Sequence, residues 1–271
     1  VTQAAVPIAI SGKRRLDGED ELVRRALARA FDVLDAELPG AAKVLLTGLA
    51  VGADTLAAEQ ALGRPDWTAT AVLPLARALY LDDFPAAPRR RLEALLADPR
   101  VGLREMAPLR DPATGAPAGA EALRQPPQGS NPLRDRHYEQ QGLWLADNAA
   151  LLIAVKPADE QPGLIGGTAR IVAYRLSGKP DRAARAVIAA SSELGATSPA
   201  AELHGGPVWL IDAPRPDATA RRRDRPFQVL LPRGGDAPPA PRRFAERVRL
   251  SLLPARRLVA PVSRLAGSRP R

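Results

Sequence analysis

Three stretches of the chain combine glycine with hydroxyl or basic residues where a backbone could meet an anion. In Leu46-Thr47-Gly48-Leu49-Ala50-Val51-Gly52-Ala53-Asp54, two glycines stand between an apolar run and a helix-forming run. Gly48 and Gly52 permit backbone angles and close approaches that a side chain would block. A helix that starts there presents unpaired N–H groups and a partial positive end. Gly166-Gly167-Thr168 repeats this logic after the apolar run 149–155. Thr168 is expected to cap the helix that follows and to donate to a phosphate oxygen, beside the Gly167 and Thr168 amides. Ser11-Gly12-Lys13-Arg14 follows a third apolar run, 6–10, and adds a hydroxyl and two cations suited to phosphate.

The acids near these stretches have two readings each. Asp54 either caps its helix, the common role of aspartate there, or contacts a ribose or base. Glu59 lies further along the same helix, as a solvated acid or a ribose contact. Tyr138-Glu139 falls in a helical pattern over 133–147, where Tyr138 could stack on a base and Glu139 could face a ribose; both serve equally as helix-surface residues. There are no cysteines, and His137 and His204 form no recognisable metal motif, so no metal and no certain cofactor is expected.

Strand and helix signals alternate along the chain, which points to a parallel sheet covered on both faces. Strands are expected at 6–10, 43–47, 68–73, 101–104, 149–155 and 208–211. Helices are expected at 19–37, 54–62, 88–97, 133–147 and 168–177. In the first helix Leu22, Ala26, Ala30, Val33 and Leu34 make the apolar face, with Asp17 or Gly18 as cap. All three glycine stretches then fall at carboxyl ends of parallel strands, where open α/β sheets bind ligands. The expected fold is therefore α/β, a Rossmann-like three-layer domain with a mainly parallel sheet over 6–212. Residues 108–132, rich in Pro, Gly and Ala, read as a loop insertion.

Residues 213–271 form an Arg/Pro-rich tail or linker, with an edge strand near 227–231 and a basic amphipathic helix near 241–253. The tail carries 15 arginines against four acids (Asp217, Asp224, Asp236, Glu246), a net +11. The other 212 residues are close to neutral at −2, so the chain's +9 resides in the tail. Such an arm suits nucleic acid or an acidic membrane surface, although coding bias gives the same composition. The core is aliphatic, with 45% apolar but only 4% aromatic residues. The longest apolar run is far short of the roughly 20 residues a spanning helix needs. No charged-then-apolar signal pattern opens the chain, and a cytoplasmic protein is expected.

Ile10-Ser11-Gly12-Lys13-Arg14, the run Gly48 to Glu59, Val72-Leu73-Pro74-Leu75 with Tyr80, Asp83 and Phe84, and Gly166-Gly167-Thr168-Ala169-Arg170-Ile171-Val172 occur in an order that resembles the SLOG superfamily. That superfamily groups DNA-processing protein A (Smf), the Lonely-guy phosphoribohydrolases and many bacterial nucleotide-sensing domains. The resemblance spans residues 6 to about 180 and implies a Rossmann-like sheet that binds nucleotides or their derivatives. The Lonely-guy motif Pro-Gly-Gly-x-Gly-Thr-x-x-Glu, aligned on Gly167-Thr168, sets Ile171 where its catalytic glutamate stands. Isoleucine cannot transfer a proton. Sensing of a nucleotide or nucleotide-derived signal is thus the first expectation. A hydrolase acting on an N-glycosidic or phosphate bond, or a nucleic-acid binder of the DNA-processing type, are the alternatives, and homo-oligomerisation is left open.

Overall fold

The computed structural model describes residues 5–126, 129–194, 205–213, 227–232 and 243–259. Its elements run β1 (Val6–Gly12), α1 (Asp20–Glu37), β2 (Lys43–Thr47), α2 (Ala53–Leu62), β3 (Trp67–Leu73), α3 (Arg77–Leu81), α4 (Ala86–Ala97) and β4 (Val101–Glu105). Then follow α5 (Pro132–Asn148), β5 (Leu151–Lys156), α6 (Thr168–Ser177), α7 (Arg182–Ala190), β6 (Val208–Asp212), β7 (Gln228–Leu230), α8 (Phe244–Ser251) and α9 (Leu253–Val259). The sheet order is β4-β3-β2-β1-β5-β6-β7, parallel except for β7. This is the expected α/β Rossmann-like architecture.

Alternation along the strands splits the core into two layers, because successive strand residues face opposite sides. Val6, Ile8 and Ile10 of β1, Leu45, and Ile153 pack under α1 and α2. Ala9, Leu46, Leu152 and Ala154 face the other way, against Leu145 and Ala146 of α5 and Ile171 and Val172 of α6. β5 is buried along its whole length, as a central parallel strand must be.

Part of the segment after Asp212 belongs to the first layer. Phe227 stacks on Trp209 with ring centroids 4.2 Å apart, and Val229, Val248, Leu252 and Ala255 join the same core. The Trp209 indole donates to Ser251 Oγ at 2.8 Å, which fixes α8 over β6. The expected edge strand is thus present as β7, and the basic helix as α8 followed by α9; residues 241–242 lie outside the described residues.

Several local expectations need correction. In α1 the buried stripe is Val23, Leu27, Ala30, Phe31 and Leu34, while Leu22 is 43% exposed. The stripe is rotated by one residue, because Phe31 has to reach Trp67, 4.8 Å away. Neither Asp17 nor Gly18 caps α1. Both have positive φ and form the turn before it, with Glu19 at the N-cap and no side-chain cap bond. Two helices without a sequence forecast, α3 and α7, also appear. The loop after β4 is anchored at intervals: His137 Nε2 accepts from the Leu109 amide at 3.0 Å, and the Arg134 guanidinium donates to the Leu123 carbonyl.

Candidate functional site

Strand order reverses between β1 and β5. Strands β2, β3 and β4 step away on one side of β1, and β5 returns to the other, so the loops leaving β1 and β5 diverge at the kind of switch point where open α/β sheets receive ligands. Backbone pairing continues to the ends of both strands, Gly12 opposite Val155, and the Lys13 amide donates to the Val155 carbonyl at 3.0 Å. One residue before that end, Ser11 Oγ lies 3.1 Å from Thr168 Oγ1. Both residues are partly exposed, so two hydroxyls from distant sequence meet at the switch point within reach of solvent.

Thr168 is not the cap of α6. Gly167 holds the N-cap position with no side-chain cap bond, and Thr168 is the first helical residue. The glycine turn before it is built tightly. The Gly166 amide donates to Glu139 Oε2 at 2.6 Å, and the Gly167 amide donates to the Leu164 carbonyl at 3.1 Å. The Gly167 amide is therefore spent and the Arg170 amide donates to the Gly167 carbonyl at 3.0 Å, so the donors left for an anion are the Thr168 and Ala169 amides, which have no preceding helical carbonyl. Gly166 has φ of +72°, and a Cβ there would come within 2.8 Å of Tyr138 Cβ.

Glu139 is buried and serves this turn. Besides Gly166 it takes the Arg170 guanidinium at 3.1 Å, and Arg170 also reaches Asp181 at 2.9 Å. The carboxylate that a ribose contact would need is thus committed to holding the loop. Ile171, one turn into α6, is buried against Gly142 of α5, where a Cβ would fall 2.4 Å from Ile171 Cδ1. A glutamate at 171 would point into that packed interface.

The Gly48–Gly52 turn lies at the same sheet edge, after β2, and its polar groups face inward. Gly52 has φ of +95°, and a Cβ there would come within 2.4 Å of the Lys13 carbonyl oxygen. The Ala53 amide, the first of α2, donates to that same carbonyl at 3.1 Å. Tyr80 donates its hydroxyl to the Gly48 carbonyl at 2.8 Å. Asp54 does not cap α2; Gly52 does, without a side-chain bond. Asp54 is instead 6% exposed, below the β1 and β2 ends. Burial pushes its carboxyl up to about 7, against the pull of the Arg14 guanidinium and of the Ala50, Gly48 and Gly12 amides. Its Oδ1 finds no hydrogen-bond partner. The chain's own acid thus lies against the Gly48 turn, where an outside anion would approach.

Arg14 is exposed and lies over the Tyr138 ring, 4.7 Å from its centroid. Tyr138 donates its hydroxyl to Asp83 Oδ2 at 2.6 Å, and Asp83 also pairs with the buried Arg134. Burial pushes the Tyr138 phenol up to about 12, so it is a neutral donor at ordinary pH. Lys13 reaches Asp17 at 3.5 Å. Glu59 is separate from all of these. It sits in the second half of α2, gripped by Arg91 at 2.5 and 2.6 Å and near Arg24, on the rim of an open depression of about 320 Å³. The structure therefore gathers Ser11, Gly12, Lys13, Arg14, Gly166, Gly167, Thr168 and Tyr138 at one edge, with Gly48, Gly52 and Asp54 beneath and Glu139 behind. Among the described residues no cluster of three or more His, Cys, Asp or Glu could hold a metal. His204 lies outside them.

Sequence reasoning left Arg134, Asp83 and Arg170 without roles. Asp83 and Arg134 are 51 residues apart, and only the packing of α3 against α5 joins them.

No family model matches the chain, and no curated protein matches it. Among solved structures, the X-ray structure of DNA processing protein A (DprA) from Streptococcus pneumoniae is similar, with 18% identity and a TM-score of 0.34. The match covers 55% of this chain and 41% of that one, so it spans less than half of the DprA chain. The fold class stands on the strand order itself.

Proposed function

We propose that the chain binds a nucleotide or nucleotide-derived phosphate compound at the carboxyl ends of β1 and β5. The observation that carries this reading is the meeting of Ser11 and Thr168 hydroxyls at 3.1 Å across the point of strand-order reversal, at the start of a ten-residue helix. Two convergent hydroxyls, first-turn amides and the cations Lys13 and Arg14 form a donor set for phosphate oxygens. The turn that presents them is fixed by Glu139 and Arg170, so its geometry exists before the ligand arrives. Calorimetry against adenine nucleotides, cyclic nucleotides and NAD-related compounds tests the reading. At least one should bind, and Thr168→Ala should weaken it about tenfold, as loss of a hydrogen bond to a charged group does. Absence of binding across the panel, or an unchanged affinity in Thr168→Ala, would sink it.

A hydrolase is the second reading, favoured by Asp54: a carboxyl that titrates near neutrality with an unpartnered oxygen is suited to acid–base work. Release of free base from nucleoside monophosphates, abolished in Asp54→Asn, is the expected result; intact substrate across pH and added metals retires it. Nucleic-acid or acidic-membrane binding by the basic segment after Asp212 is a third reading. Exposed Arg243, Arg249, Arg256 and Arg257 of the α8–α9 region support it. It requires binding that falls steeply with salt.

A further inference from the structure

The loop from β5 to α6 is pinned at both ends. Lys156, buried at the end of β5, donates Nζ to the Pro157 carbonyl at 2.8 Å and the Glu160 carbonyl at 3.1 Å. At the far end Glu139 holds Gly166, and the Leu164 carbonyl closes the turn by accepting from Gly167. Between these anchors, Leu164 is 81% exposed and its neighbour Ile165 is 39% exposed. Adjacent exposed apolar side chains on a tethered loop are costly to leave in water, since each would gain by being covered. Leu164 also flanks the start of α6: a Cβ built on Gly167 would lie 3.3 Å from Leu164 Cβ. An apolar platform thus stands directly beside the donors for phosphate, and residues 161–167 bring no charge to it.

We propose that Leu164 and Ile165 seat the base ring of the ligand whose phosphate lies at Ser11 and Thr168, so that the site selects phosphates carrying a planar ring over ringless ones. This rests on the nucleotide-binding reading above. A ring has two apolar faces, and one laid on the Leu164–Ile165 pair removes both partners from water while the phosphate keeps its polar contacts. The neutrality of residues 161–167 fits a base and not a second charged group.

The test compares wild type with the double variant Leu164→Ser, Ile165→Ser by calorimetry, using adenosine 5′-monophosphate, ribose 5-phosphate and butyl phosphate as probes. Wild type should bind adenosine 5′-monophosphate roughly tenfold or more tightly than ribose 5-phosphate, the range that covering one or two such side chains provides. The double variant should lose that advantage and leave ribose 5-phosphate unchanged. Equal binding of both probes by wild type, an unaffected adenosine 5′-monophosphate affinity in the variant, or a parallel loss for both probes would overturn the proposal while phosphate binding stands. Preference for butyl phosphate would overturn it in favour of an aliphatic substituent. Sedimentation of both proteins covers the remaining occupant: a wild-type dimer that dissociates in the variant would assign the pair to a contact between copies and overturn the ligand role. If wild type binds none of the probes, this proposal fails, and absence of binding across the wider nucleotide panel fails the nucleotide reading with it.

Discussion

Asp54 is an acid enclosed by the ends of two strands, and its protonation is coupled to folding. Its carboxyl is raised by burial to about 7, whereas an unfolded aspartate titrates near 3.9. The folded state therefore binds the proton more tightly, and its stability falls as pH rises from about 4 through 7. Asp54→Asn removes the buried charge at the cost of an acceptor for the surrounding amides. The variant should gain stability relative to wild type on going from pH 5 to pH 8, by on the order of 2 kcal/mol, measured by urea unfolding at both values. A difference that does not change with pH contradicts the assignment. His137 has the opposite sign. Burial lowers its pKa, the imidazole accepts from Leu109, and its Nδ1 meets the Leu133 carbonyl at 2.8 Å as a donor. Its contribution is present above the ordinary value near 6.5 and is lost as pH falls through the depressed one, because a protonated ring cannot accept. The protection factor of the Leu109 amide, its exchange corrected for the intrinsic rate at each pH, should fall at pH 5 relative to pH 7.5 in wild type and be low at both in His137→Leu. Neither behaviour was readable beforehand. A sequence shows that an aspartate follows glycine in a helix start, but not that the helix turns that side chain inward.

The turns between elements show what the glycines are for. Gly52 brings the start of α2 against the Lys13 and Arg14 carbonyls, and its positive φ is strained for any side chain. Gly52→Ala should cost about 2 kcal/mol or more, seen as a lowered midpoint of thermal unfolding. A neutral substitution would mean that the turn is not packed as described. At the other turn, Glu139→Gln keeps the size but weakens the bond to Gly166 and the pairing with Arg170. It should destabilise the fold by about 1–3 kcal/mol and also weaken any phosphate ligand, because the turn loses its anchor. Both glycine turns were legible as strand-to-helix junctions, and β2 and α6 fall on the bounds that their sequence patterns suggest. Their different uses were not legible. Gly48–Gly52 and Gly166–Gly167 look alike as text, yet the first is sealed by Asp54, Tyr80 and Lys13, while the second opens onto Ser11. Apart from Asp54, the partners that make the distinction lie tens of residues away, which no local pattern contains.

Across the whole molecule, alternating strands and helices with aliphatic runs were enough to fix the α/β class, because a parallel sheet requires a covering helix after each strand. The buried face of α1 is one position away from the one its pattern suggests, since 22-26-30 and 23-27-30-34 are equally periodic and only the Phe31–Trp67 contact decides between them. The segment after Asp212 contributes Phe227, Val248 and Leu252 to the sheet's first layer. A chain ending at Asp212 should therefore lose cooperative unfolding or lower its midpoint by several degrees, by exposing Trp209 and Ile211. An unchanged midpoint would show that β7, α8 and α9 add nothing to the core.

On the proposed function, a phosphate ligand is received between Ser11 and Thr168 and not by the Gly48–Gly52 turn. Titrating isotope-labelled protein with adenosine 5′-monophosphate and following backbone amide resonances tests it most directly. The largest shifts should fall at Ser11, Lys13, Thr168 and Ala169, with Gly48 and Ala50 little changed because the buried Asp54 carboxyl already lies against that turn. Shifts centred on Gly48, Ala50 and Asp54, or near Glu59 and Arg24, or no shifts at all, would contradict it.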